Sequence, residues 1–313
     1  MKNWISSAPA NLMVMGEHSV VFGQVALACT LDQRLSIQWQ TRADTQVFIQ
    51  SALANHQTDL ATLAPHPKLT WVMACLKAYQ PQLTQGLNIE ITAEFESTWG
   101  LGSSAALLAA MLGGLDAICE QTPSFKERFS RGLQIIHQLQ GRGSGTDLAA
   151  SLSGGLVLFN PKTLDVQKIS LGAEDLPCQL WYSGYKTPTA EVLQIVESKW
   201  SPQQSLQNKL YDLMGETTQQ AYKALQEKQW NDFYLLVNTY QGLMDALGVN
   251  DATLSKMIYD LRALVPAAKI SGSGLGDCVM SFGEINMPLP ESLLSFQQID
   301  CQISNQGLSV LEL

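Results

Sequence analysis

Apolar and polar positions along this chain set out most of its elements. Ile5 to Met15 ends in the apolar run Leu12-Met13-Val14-Met15 and reads as a buried strand. Gly16 to Gly23 is a turn with a short segment held between glycines, and Val25 to Cys29 is a further apolar run. Leu35 to Trp39 and Val47 to Gln50 alternate at the strand period, so the first fifty residues predict mostly short β pieces. Leu53 to His66 shows no period, and Pro65-His66-Pro67 punctuates it, which predicts irregular structure. Leu69 to Tyr79 has helical spacing that Pro81 stops, and Leu87, Ile89, Ile91 and Ala93 alternate along a strand reaching Phe95. Helices follow from about Ser104 to Cys119 and from Pro123 to Gln140, then a strand at Leu156 to Phe159. Beyond the polar stretch Asn160 to Pro177, Gln179 to Ser183 is strand-like. From Thr189 the pattern is helical to about Val265, with breaks at Pro202 and Gly248. The apolar Val279 to Phe282 and a short strand near Leu308 to Leu311 complete the chain.

Strands and helices segregated in this way predict an α+β fold. A length of 313 residues is about twice a typical domain, and the Asn160–Pro177 stretch is the natural boundary. The expected halves are residues 1–172 and 173–313.

Three glycine-rich loops interrupt the pattern. The first to stand out is Trp99-Gly100-Leu101-Gly102-Ser103-Ser104-Ala105, lying between a predicted strand and an alanine-rich helix. Glycine lets a ligand approach the backbone, and the helix that follows offers free N–H groups and the positive end of its dipole to a phosphate. The hydroxyls of Ser103 and Ser104 can bond a phosphate oxygen or join the shell of a Mg²⁺ ion. A serine before an apolar run is equally the ordinary N-cap, so both readings stand. The second loop, Gly141-Arg142-Gly143-Ser144-Gly145-Thr146-Asp147, presents a single carboxylate, again either a cap or a functional acid. The third is Ser271-Gly272-Ser273-Gly274-Leu275-Gly276-Asp277-Cys278.

Composition narrows the function. With 46% hydrophobic and 15% charged residues the chain suits a well-buried globular enzyme. A net charge of −9 argues against binding nucleic acid or an anionic membrane surface, but a local nest of N–H groups still serves a phosphate. No run of 18 apolar residues occurs, and the start lacks the apolar core of a signal peptide. Six scattered cysteines, with no CxxC pair, then read as reduced thiols of a cytoplasmic protein. Four histidines without ligand spacing speak against zinc.

Three stretches in order along the chain closely resemble the motifs of the GHMP kinases, the superfamily of galactokinase, homoserine kinase, mevalonate kinase and phosphomevalonate kinase. The matching stretches are Ala8-Pro9 through Gly16-Glu17-His18-Ser19-Val20-Val21-Phe22-Gly23, then Gly100 to Ala106, then Gly272 to Cys278. The resemblance implies a two-domain fold, ribosomal S5 domain 2-like at the N-terminus and ferredoxin-like at the C-terminus, with the active site between. It implies ATP on Gly100, Leu101, Gly102, Ser103, Ser104 and Ala105, with Gly272, Gly274 and Gly276 closing that site and Ser104 on Mg²⁺. Asp147 matches the catalytic carboxylate that takes or orients the proton of the substrate hydroxyl. Glu17, His18, Arg142, Ser144, Gly145, Thr146 and Tyr185 fall on the substrate side. A homodimer is an expectation of the same kind.

Two departures stand out. The family's mevalonate branches carry Lys where this chain has Asn11; either Lys186 or Arg142 substitutes for it, or the enzyme tolerates the loss. The Mg²⁺-binding Glu of mevalonate kinases has no counterpart in Leu133 to Gln138. The Gly-Glu-His motif resembles the branch that phosphorylates the 5-hydroxyl of mevalonate. The Gly-Ser-Gly-Thr-Asp and Gly-Asp-Cys loops resemble the phosphomevalonate branch. A related decarboxylase is disfavoured, since its Lys-Tyr-Trp-Gly-Lys stretch is missing here, and a non-catalytic sensor has no need of Asp147.

Overall fold

The computed structural model describes residues 2–96, 99–171 and 175–313. Its first sheet is organised by two long antiparallel strands, β1 (Asn3–Met15) and β2 (Ala26–Thr41). On its other edge β2 pairs first with β6 (Leu156–Asn160) and then with β5 (Leu87–Ala93). The parallel strand β3 (Gln46–Ser51) lies beside β5, and β4 (Asn55–Asp59) closes that edge; β7 (Asp165–Ile169) pairs β6.

The helices α1 (Thr70–Tyr79), α2 (Ser103–Ile118), α3 (Phe125–Gln140) and α4 (Thr146–Ser153) cover one face of this sheet. All of α2 from Leu108 to Asp116 is buried, so its unbroken apolar character marks a core helix rather than an amphipathic one. A capping box of Ser124 and Glu127 starts α3.

The second sheet has the order β11 (Gln297–Ile299), β8 (Cys178–Tyr182), β10 (Cys278–Phe282), β9 (Ala267–Ser271), antiparallel throughout. It carries α5 (Thr189–Trp200), α6 (Gln204–Gln226), α7 (Trp230–Leu247) and α8 (Ala252–Arg262). The α+β reading of the sequence is the architecture observed.

Several expectations change. The short β pieces of the N-terminus are two long strands. The polar Asp32-Gln33-Arg34 lies inside β2, where its partner changes from β6 to β5. There the Asp32 N–H donates to the Gln302 carbonyl of the returning C-terminal segment, and the Gln302 N–H donates to the Asp32 carboxylate, both at 2.9 Å. The irregular Leu53–His66 stretch contains β4, an edge strand whose polar residues show no period. The long helical region breaks also at Lys228, which takes the left-handed conformation (φ 54) without a glycine or proline to announce it.

The last strand, β12 (Ser309–Glu312), pairs β1 and so joins the first sheet, not the second half of the chain. The expected boundary at 172/173 falls outside the described residues. All six cysteines are free, and among the described residues no helix is long and apolar enough to cross a membrane.

Candidate active site

A cleft of ≈ 670 Å³ opens between the two sheets' helices, and the three loops meet there. A larger groove (≈ 770 Å³) crosses the open face of the first sheet, but its lining includes none of the candidate residues.

The strand β5 delivers the chain to the first wall. Gly102 adopts the left-handed conformation (φ 63) and is the N-cap of α2, with no side chain capping the helix. The serine N-cap reading is therefore set aside, and Ser103 and Ser104 line the cleft. Only glycine fits here: a Cβ on Gly102 would lie 2.3 Å from the Asn11 side chain, and one on Gly100 (φ 72) would lie 2.1 Å from Asp277 Oδ1. What the glycines make room for is thus the protein's own polar groups as well as any ligand. Ala105 also lines the cleft, whereas Leu101 is buried beneath it, its carbonyl accepting from the Asn11 N–H at 3.1 Å.

The second loop ends in α4, whose N-cap is Gly145 (φ 76). Asp147 sits one residue inside the helix, so it is no cap. Among the described residues nothing hydrogen-bonds its carboxylate. Desolvation first, and the nearby charge of Glu17 second, push its pKa up from 3.8 to about 6; Lys186 pulls the other way. Ser144 and Thr146 hold this turn, their hydroxyls 2.8 Å apart.

Lys186 is paired to Asp277 Oδ2 at 3.0 Å, linking the segment after β8 to the third loop. Burial raises the pKa of Asp277 and Lys186 lowers it. Arg142 lies on the cleft's rim, bound to Glu197 at 2.9 Å and partly exposed. Of the two cations expected to compensate Asn11, Lys186 is therefore the one whose charge acts on Asp147.

Glu17 and His18 form the floor. His18 is buried, with φ 62, and burial lowers its pKa, favouring the neutral ring. Its Nε2 lies 2.8 Å from the Ser273 carbonyl, which can only accept; Nε2 is thus the donor and Nδ1 a bare acceptor. Among the described residues, four buried acceptors have no hydrogen-bond partner, and the residues that carry them all line this one cleft: Asn11 Oδ1, Glu17 Oε2, His18 Nδ1 and Asp277 Oδ1. Buried polar atoms are normally satisfied, so the site calls for donors from a ligand, such as hydroxyls, or for a cation.

Three expected residues lie elsewhere. Tyr185 donates to Asp251 Oδ2 at 2.6 Å and does not line the cleft. A Cβ on Gly274 would meet Val249, and one on Gly276 would meet Tyr185, and neither glycine is among the residues lining the cleft; Gly272 is. Sequence reasoning passed over Lys269, the buried partner of Glu17 at 2.6 Å. A lysine inside the apolar run before the third loop was the available signal.

A helix N-terminus sharing a two-lobed cleft with a carboxylate that no described side chain pairs, Asp147, is the layout of a phosphoryl-transfer site. The model described as GHMP kinases N terminal domain matches residues 70–155. Mevalonate kinase of Methanothermobacter thermautotrophicus is 30% identical over 278 residues, 88% of this chain and 89% of the relative. That of Pyrococcus furiosus is 26% identical over 296 residues, 88% and 87% of the two chains. The solved Methanococcus jannaschii mevalonate kinase shares the fold with a TM-score of 0.78 at 18% identity, covering 96% of this chain and 98% of that one. Lactococcus lactis galactokinase, complexed with galactose, reaches 0.85 at 15% identity, covering 98% and 95%. The chain belongs to the GHMP kinases, ATP-dependent kinases of small molecules, and its curated relatives there are mevalonate kinases.

Proposed function

We propose that this protein transfers the γ-phosphoryl group of ATP to the 5-hydroxyl of mevalonate. The observation that carries the choice of substrate is the state of the cleft's cations. Among the described residues lining it, Arg142 and Lys186 are the only lysine or arginine, and each already holds a carboxylate. A phosphomevalonate phosphate would bring a charge of about −1.5 to −2, which calls for at least two well-placed basic groups or a nest of N–H groups. Mevalonate brings one carboxylate and two hydroxyl donors, and unpartnered acceptors are what Glu17 and His18 offer.

In this reading the N–H groups at the start of α2 and the hydroxyls of Ser103 and Ser104 receive the nucleotide phosphates. Asp147 orients the attacking hydroxyl and takes its proton, and Lys186 offsets charge on the transferring group. Mg²⁺ fits the donor set, a serine hydroxyl beside phosphate oxygens, although no group of three or more acidic, histidine or cysteine side chains stands ready for a metal among the described residues. Ser104 would hold it with ATP oxygens and water, and the ion would supply charge neutralisation. The test is kcat/KM for mevalonate against phosphomevalonate. Mevalonate should lead by at least tenfold, and the reverse preference overturns the proposal.

A further inference from the structure

One buried cation takes no part in the chemistry above. Lys269 lies at the centre of β9, in a run of five buried residues, and its side chain is wholly enclosed. A lysine is kept in such a place only with a partner. Its Nζ is 2.6 Å from Glu17 Oε1, with Glu17 itself 2% exposed at the side chain; Nζ also donates to the Ile270 carbonyl and lies 5.5 Å from the Tyr240 ring centre.

The pair is lopsided. Lys269 occupies one oxygen of Glu17 and leaves Oε2 buried, with no side-chain partner among the described residues and only the Gly272 backbone beside the carboxylate, in a residue that lines the cleft. An ion pair serving only to tie the two halves together would gain by satisfying both oxygens. The backbone around Glu17 is gripped from the same side. The Tyr240 hydroxyl accepts from the Gly16 N–H at 2.8 Å and donates to the Glu17 carbonyl at 3.1 Å. The Ser273 carbonyl accepts from the ring of His18, whose backbone has a positive φ of 62. Residues 16–18 come from the first sheet's half, and every one of these grips comes from α7, β9 or the third loop.

We propose that Lys269 is a positioning residue for the phosphoryl acceptor: by fixing one oxygen of Glu17 it aims the other at the substrate. The proposal rests on the reading of the cleft as a site for a hydroxyl-bearing substrate. It assigns to the second half of the molecule the setting of a group that the first half carries.

Lys269→Met keeps the unbranched shape of the side chain, one atom shorter, and removes its charge. It is expected to raise KM for mevalonate at least tenfold while KM for ATP stays within twofold. Because Glu17 is then buried without a counter-charge, the double variant Glu17→Gln/Lys269→Met is measured beside it. The double variant should recover the melting temperature of the parent but keep the raised KM, since the aimed carboxylate oxygen is gone. Recovery of both stability and KM in the double variant would show a purely structural pair and overturn the proposal. So would an unchanged KM in Lys269→Met. If the single variant does not fold, the double variant decides alone. The parent enzyme is assayed first on a panel of alcohols. Absence of turnover with mevalonate refutes that substrate, and Lys269 is then judged by the same KM ratio on the alcohol accepted.

Discussion

The acid limb of the pH–rate profile reads the surroundings of Asp147. Its pKa rises from 3.8 to about 6, which disfavours the carboxylate by about 3 kcal/mol at 1.36 kcal/mol per pH unit. If the ionised form is the working one, kcat/KM at pH 5 should be about a tenth of its value at pH 7. An unperturbed carboxylate would retain about nine-tenths. The perturbations are Lys186→Met and Glu17→Gln. Lys186 lowers the pKa, so removing its charge should move the limb to higher pH. Glu17 raises it, so removing that charge should move the limb to lower pH. Coupled ADP release at constant ionic strength, over pH 4.5 to 8, measures all three enzymes. A nucleotide phosphate also titrates near pH 6, but it does so identically for every variant. A limb that stays in place in both variants belongs to the nucleotide and refutes the assignment to Asp147.

Asp147→Asn is expected to lower kcat by about 10² to 10⁴-fold with nucleotide affinity kept, and near-normal turnover would remove Asp147 from the chemistry. The same change should stabilise the fold. The native state binds more protons than the unfolded one between pH 3.8 and about 6, so stability falls as pH rises through that window. The gain on substitution, up to about 3 kcal/mol, should therefore appear in Tm at pH 7 and vanish near pH 4. Gly102→Val forces a Cβ against Asn11 in a left-handed backbone, and should weaken ATP binding in titration calorimetry and lower Tm together. Arg142→Met breaks a half-exposed pair worth at most about 1 kcal/mol, and kcat/KM for mevalonate should stay within threefold; a hundredfold loss would make Arg142 the replacement for the missing lysine.

Local chemistry was sufficient for the site's parts. Gly100 and Gly102 before an alanine-rich helix, and Asp147 after a glycine-rich turn, announce themselves because positive φ and a helix start depend on a few adjacent residues. The alternation at Leu87 to Ala93 fixed the strand feeding the phosphate-type loop, since period two needs only one buried face. Long-range pairing decided the rest. Strand β12 could not be assigned to the first sheet from its own residues, because its partner Trp4 to Ser7 lies some three hundred positions away. The polar Asp32-Gln33-Arg34 looked like a break until the C-terminal segment was placed against it. The electrostatics are tertiary in the same sense. Glu17 and Lys269 are separated by 252 positions and meet only because the two sheets close on one another. Whether Lys186 or Arg142 answers for Asn11 turns on which carboxylate each side chain finds, Asp277 beside the cleft or Glu197 on its rim. Residue types along the chain state which chemistry is available; the pKa of Asp147 depends on burial and on charges that only the folded chain brings within reach.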